Sequence, residues 1–446
     1  MSVVSVVKSC GLEGARRLDA EYYQPKYLFL IEKLNSINAV PVKKVAIPVK
    51  RRFVPKEDEY FNYIEISDVD LLTGEFSTSR IVGAEAPDRA QWIVRKNDVL
   101  ISTVRPARNA VVLIRKESDN LVASSGFCIL QSQKVTPEYL FLYFKTEFVK
   151  SLLDRHTTAT EYPAVTWKDV LNIPIYMPDN SFQETISAKV KNAFRLLEQS
   201  REFYLQAEAL LLSELGLKDF KPVGKLSYKV NLSKVSTVYR MDAEYFNPKY
   251  DEIIERISKK TELKPLRNFI LSVKKGIEVG SESYQDEGVP FIRVSNLSVS
   301  GLVSKDQKFI SEELYEVLEN EFKPVKGEIL LTKDATPGIA YFVKEQIRGI
   351  VSSGILRIRV KNINPEYLCL CINSTVGKSQ VERDVGGSVI LHWKLGQVKN
   401  LMIPILPELA QQKIAKLVYE SYRTREKGKQ LLKEAKEEIE KIVFSK

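Results

Sequence analysis

The side chains that could grip a polyanion gather on short polar stretches. Lys50, Arg51 and Arg52 form one run, and Arg105 and Arg108 fall within Thr103-Val-Arg-Pro-Ala-Arg-Asn109. Further along come Lys274 with Lys275, Arg293 with Asn296, and Thr332 with Lys333. Lys168, His392 and Lys394 flank Trp167 and Trp393 and are weaker candidates. Base edges of a duplex are read by donors in fixed geometry, Arg or Lys on guanine and Asn or Gln on adenine. Phosphates need cations, hydroxyls or backbone N–H groups. The formal charge, 67 − 57 = +10, fits a polyanionic partner, nucleic acid first.

Enzymatic chemistry is harder to place. The cysteines (Cys10, Cys128, Cys369, Cys371) and histidines (His156, His392) make no metal-ligand spacing, and no metal or cofactor is expected. In Gly377-Lys-Ser379 the first glycine of a phosphate loop would fall on Ile372. No Pro-Pro pair exists to form the Asn/Asp-Pro-Pro-Tyr loop of amino-methyltransferases. Glu262-Leu-Lys264 and Glu434-Ala-Lys436 have no convincing upstream Pro-Asp and read as solvated charge. No apolar run approaches the roughly 20 residues that cross a bilayer. Residues 1–8 read as a strand, and the chain as cytoplasmic.

Two long helices must organise these loops. Apolar or small residues recur at Ile186, Val190, Ala193, Leu197, Ser200, Tyr204, Ala207 and Leu211, the seam of a helix that packs along another. Adding 228 gives Ile414, Val418, Ser421, Arg425, Gly428, Leu432, Ala435 and Ile439 in the same register. Arg425, opposite the pattern at Leu197, is expected to reach water.

The helices belong to a larger repeat. Arg17-Leu-Asp-Ala-Glu-Tyr-Tyr-Gln-Pro-Lys-Tyr27 returns as Arg240-Met-Asp-Ala-Glu-Tyr-Phe-Asn-Pro-Lys-Tyr250, eight of eleven identical. Tyr63–Val69 pairs with Phe291–Leu297 as short strands, Lys96–Thr103 with Lys326–Lys333, and Pro137–Leu140 with Pro365–Leu368. Thr166-Trp-Lys168 is matched with His392-Trp-Lys394, which puts Trp167 and Trp393 at equivalent core positions. A tandem duplication of this kind favours pseudo-twofold symmetry and an antiparallel helix pair, with two globular units held apart. A duplex, itself long and repeating, suits such a spacing. A paired-domain protein-interaction scaffold is the alternative.

The chain resembles the specificity (S) subunits of Type I restriction-modification enzymes along essentially its whole length. The resemblance rests on the duplicated layout, on Gly276–Asn296, on Gly327-Glu-Ile-Leu-Leu-Thr332 and on Ile403–Ile414 leading into the second long helix. Lys50-Arg-Arg-Phe53 departs from Lys274-Lys-Gly-Ile277. It implies an α+β chain with two similar mixed α/β target recognition domains, 1–178 and 220–407. Two long antiparallel helices, 179–219 and 408–446, form an intramolecular coiled coil between them. Each domain would read half of a bipartite site in double-stranded DNA, and the helices would dock two methyltransferase (M) subunits. Restriction (R) subunits would join the full complex. S-adenosylmethionine, ATP and magnesium would belong to those partners, leaving this chain non-catalytic.

Overall fold

The computed structural model describes residues 6–7, 17, 19–157, 163–222, 227–238, 240–386 and 391–445. The strand expected over residues 1–8 falls almost wholly outside them. The chain forms two compact units, residues 1–196 with 427–446, and residues 197–426.

Unit 1 runs α1 (Pro25–Ser36), β1 (Val40–Pro41), β2 (Ala46–Pro48), β3 (Tyr60–Ile64), β4 (Ser79–Val82), β5 (Ala90–Ile93), β6 (Asp98–Ser102), β7 (Val111–Leu113), β8 (Leu121–Ser124) and β9 (Phe127–Ser132). Then come α2 (Pro137–Phe144), α3 (Glu147–Arg155), α4 (Trp167–Asn172), β10 (Pro174–Ile175) and the start of α5 (Asn180–Glu214). One antiparallel sheet has the order β2-β9-β6-β7; a second, β4-β3-β8-β5, is mixed, with β3 parallel to β8. β6 is buried along its length, as a central strand covered on both faces requires.

Unit 2 repeats the plan. After α6 (Leu232–Val238) come α7 (Pro248–Ser258), β11 (Glu262–Pro265), β12 (Ile270–Lys275), β13 (Val289–Ile292), β14 (Leu297–Ser298), β15 (Gly301–Leu302), β16 (Lys308–Ile310) and α8 (Glu312–Phe322). β17 (Ile329–Thr332), β18 (Ala340–Phe342), β19 (Ile350–Val351), β20 (Ile355–Val360), α9 (Pro365–Asn373), α10 (Thr375–Asp384), α11 (Leu395–Asn400), β21 (Met402–Ile405) and α12 (Glu408–Phe444) follow. The order β12-β20-β17-β18 matches the first sheet of unit 1, and β16-β13-β19 matches the second, with β13 parallel to β19. β5 has no strand counterpart; α8 occupies its place in the chain.

The repeated Pro-Glu-Tyr opens the same helix twice. Pro137 and Pro365 stand at the first turn, where a missing N–H costs nothing, and the side chains of Thr136 and Asn364 cap the free N–H groups. Tyr139 then donates its hydroxyl to the Tyr176 carbonyl at 2.9 Å, and Tyr367 donates to Pro404 at 2.8 Å. Each phenol ties the helix to the chain just before a long helix begins.

The two motifs expected as strands end early. Strands stop at Ile64 and Ile292, and turns follow over Ile66–Asp68 and Val294–Asn296. Asp68 and Asn296 accept the backbone N–H groups of Glu65 and Arg293 at 3.3 and 3.0 Å, which closes a turn instead of continuing a ladder.

All sixteen seam positions of α5 and α12 are buried. In unit 1, Lys189 on α5 ion-pairs with Glu438 on α12. In unit 2, the Ser421 hydroxyl donates to the Ser200 carbonyl at 2.7 Å. Within unit 2, Ala207 and Leu211, later on α5, share a core with Ile414 and Val418, earlier on α12, so the helices are antiparallel, and small residues at Ser200 and Ser421 permit this backbone approach. Arg425 is only 5% exposed and does not reach water as expected: the seam period keeps it on the buried face.

Candidate nucleic-acid interface

The same clasp is built in both units at the end of the central strand. In unit 1, Arg105 N–H donates to the Pro163 carbonyl at 2.7 Å and Val165 N–H to Thr103 at 2.8 Å. In unit 2, Ala335 N–H donates to Leu391 at 2.9 Å and Trp393 N–H to Lys333 at 2.8 Å. Arg105 and Ala335 both adopt left-handed backbone, φ 47° and 58°, uncommon for residues with a side chain. The clasp holds the loop after β6 or β17 against the segment leading into α4 or α11.

The repeated Arg-x-Asp motif anchors the helix from which that segment departs. Arg17 chelates Asp19 and points Nη atoms at the His156 and Thr157 carbonyls, both 3.4 Å away. Arg240 chelates Asp242 and reaches the Arg383, Asp384 and Val385 carbonyls at 3.3, 2.8 and 3.4 Å. Positive charge at the last carbonyls of α3 and α10 satisfies orphan acceptors and opposes the helix dipole.

In unit 2 the clasp borders a cleft of about 340 Å³. Val273, Leu356, Trp393 and Leu395 give it an apolar floor, and Lys275, Lys333, Asp334, His392 and Lys394 line the rest. His392 Nδ1 lies 2.8 Å from Asp334, whose other oxygen ion-pairs with Lys333. Burial works to raise the Asp334 carboxyl, but the hydrogen bonds from Lys333 and His392 outweigh it and hold its pKa below the ordinary value. Lys275 shares the Val273 face of β12; Lys274, also exposed, points to the opposite face.

In unit 1, pairing of Pro48 with Leu130 and of Lys275 with Leu356 puts Lys50 at the place of Lys275. The Lys50 ammonium lies 5.0 Å over the Trp167 ring, and Trp167 packs on Trp92 at 5.6 Å. Arg105 is carried on the clasp loop, and Lys168 follows Trp167 on α4. Arg52, exposed, bridges to Trp92; Arg108, half-buried, ends the turn Pro106–Arg108.

Four candidates are turned to structural work. Arg51 chelates the buried Asp98 carboxylate at 2.6 and 3.2 Å. Arg293 pairs with Asp306 at 2.7 Å. Asn296, 1% exposed, hydrogen-bonds the Val303 and Lys305 carbonyls. Thr332 is fully buried, donates to the Thr336 carbonyl and accepts from Ile339 N–H. None of the unit 2 members of this group lines the cleft.

The tryptophans are not equivalent. Hydrogen bonding aligns Trp393 with Val165, and the capping turns align Thr166 with Lys394. Trp393 is therefore a core residue, 1% exposed, whereas Trp167 starts α4 half-buried. Matching letters displaced the register by two. Asp334 and Trp92 escaped the sequence reading, although an acid between Lys333 and the distant His392 was a usable signal.

The family model for the Type I restriction modification DNA specificity domain matches twice, over residues 26–203 and 258–440. A curated relative, the Type I restriction enzyme HindI specificity subunit of Haemophilus influenzae, is 27% identical over 145 residues. That match spans 31% of the length of each protein, less than a third of the relative. Among solved structures, the HsdS subunit from Thermoanaerobacter tengcongensis is 19% identical, covers 91% of this chain and 95% of its own, and gives a TM-score of 0.33. The Type I restriction-modification S subunit from M. genitalium is 12% identical, with 90% and 94% covered and a TM-score of 0.39.

Proposed function

Because this chain belongs to the family of Type I restriction modification DNA specificity domains and carries two copies, we propose that it is the non-catalytic DNA-recognition subunit of such a complex. Each unit reads one half of a bipartite site in double-stranded DNA. The observation that carries this reading is a cationic site raised twice on equivalent elements: Lys50, Arg105 and Lys168 in unit 1, Lys275, Lys333, His392 and Lys394 in unit 2. Arg52, Arg108 and Lys274 extend the basic surface. The α5–α12 pair sets the spacing between half-sites and docks two methyltransferase subunits, with restriction subunits joining the larger assembly. S-adenosylmethionine, ATP and magnesium belong to those partners. Among the described residues, no helix is long and apolar enough to cross a membrane, and the cytoplasm is the proposed compartment.

Fluorescence anisotropy with duplexes, methyltransferase subunits present, tests the reading. Binding should prefer one bipartite sequence and weaken steeply with salt as counterions are released. Absent or salt-insensitive binding would remove it. Inserting one heptad into each helix beside Ser200 and Ser421 lengthens the pair by roughly 10 Å, and the preferred gap should grow by about three base pairs. An unchanged gap would refute the spacing role.

A further inference from the structure

One feature of the cleft is confined to unit 2. The bridge between Asp334 and His392 corresponds to the bridge between Val104 and Ala164 in unit 1. The backbone is the same in both, yet the ionisable pair stands on one side of the repeat only. We propose that the unit 2 cleft holds a backbone phosphate of the duplex, that His392 is its protonatable donor, and that Asp334 positions it. The inference rests on the DNA-recognition reading above and adds that the two half-sites are gripped with different pH dependence.

Charge and geometry favour a phosphate. Three lysines, Lys275, Lys333 and Lys394, line the cleft against the single carboxylate of Asp334. That carboxylate is already engaged by Lys333 and by His392 Nδ1, so it repels an incoming anion little. With Nδ1–H given to the carboxylate, Nε2 accepts in the neutral ring and donates only in the protonated one, and the His392 side chain is 60% exposed. Histidine is the side chain that ordinarily changes charge between about pH 5 and 8. The charged groups facing His392 are Asp334 and Lys333 on the clasp loop, Lys275 on β12 and Lys394 on its own segment. Asp384 ends α10 two residues before Gly386, which bridges to His392. The other histidine, His156, belongs to unit 1, where burial pushes its pKa down despite Asp169.

The test uses the full chain assembled with methyltransferase subunits and a random-sequence duplex, since a phosphate contact is blind to sequence. Affinity should rise roughly tenfold from about pH 8 to about pH 6, the scale of one charge-assisted hydrogen bond. His392→Gln keeps a polar side chain but cannot gain charge, and should hold the weaker value across that range. His392→Lys should hold the tighter value throughout. The same variants should leave the preferred base at every position unchanged. A pH response in His392→Gln equal to that of the parent would overturn the proposal, as would relaxed preference at a single base position, which marks a base contact. No binding by the parent at any pH would instead count against the DNA-recognition reading itself.

Discussion

Asp98 in unit 1 and Glu328 in unit 2 occupy the same place at the start of the central strand, and each is neutralised from a different element. Asp98 is met by Arg51 from the segment after β2; Glu328 is met by Arg357 from β20 at 2.8 Å. The cause lies one strand away. In unit 1, β5 lies against β8, and Arg52 of the basic run bridges to Trp92 on β5. Unit 2 has no such strand, so Ile277 lies directly against Ser352, beside β19. At Gly276, the position of Arg51, a Cβ would come within 2.2 Å of the Ser352 carbonyl oxygen and 2.3 Å of that of Val351. No arginine fits there, and the guanidinium comes from another strand. What the repeat retains is the neutralised carboxylate, not the residue that neutralises it.

The largest effect should come from breaking the tighter pair. Glu328→Gln leaves Arg357, 3% exposed, without its carboxylate, and should cost about 3–5 kcal/mol in chemical denaturation. Asp98→Asn should cost less, about 1–2 kcal/mol, because Arg51 is 22% exposed and can turn towards water. Equal losses would break the comparison. Trp393→Ala opens a core cavity worth about 3–5 kcal/mol, whereas half-buried Trp167→Ala should lose clearly less. Gly276→Ala forces the backbone off β19 at about 1–3 kcal/mol, while Arg51→Gly should leave β5 in place. Hydrogen exchange on β19 and β5 reads the difference.

Lys145 sharpens the contrast through pH. It caps α2 where unit 2 has Asn373, and its ammonium donates to the Leu71 carbonyl at 2.8 Å. Burial lowers its pKa to about 8, with Asp70 opposing the shift. A folded pKa below the unfolded one means the unfolded chain binds more protons between about 8 and 10.5. Unit 1 should therefore gain stability as pH rises through that window, and Lys145→Met should remove the gain. A slope unchanged by the substitution would show that the lysine is solvated. The smallest effect is Lys50→Ala, which removes a cation–π contact of about 0.5–1 kcal/mol but should weaken duplex binding measurably.

The helix seam was legible because every seam position carries one meaning, burial, and heptad spacing states it repeatedly. The doubled fold was legible because Arg17–Tyr27 and Arg240–Tyr250 do the same work twice. The site was only partly legible. Lys275, Lys333, His392 and Lys394 converge as their placement on strand ends and clasp segments requires. Arg51 and Asn296 have the residue types that suit DNA contact, but their neighbours Asp98 and the Val303–Lys305 turn lie beyond local spacing. The tryptophan register failed for a related reason: hydrogen bonds across the clasp decide which residues correspond, and a single shared letter does not.

The most direct measurement maps methylated bases in cells carrying the complete system, for the parent chain and for two variants. One variant replaces Lys50 and Arg105 in unit 1; the other replaces Lys275 and Lys333 in unit 2. The account predicts a bipartite motif with an unread gap; the first variant degrades one half, and the second, which strips phosphate contacts from the unit 2 cleft, lowers methylation of the motif without changing its bases. A single contiguous motif, or equal damage to both halves from the first variant, would contradict it.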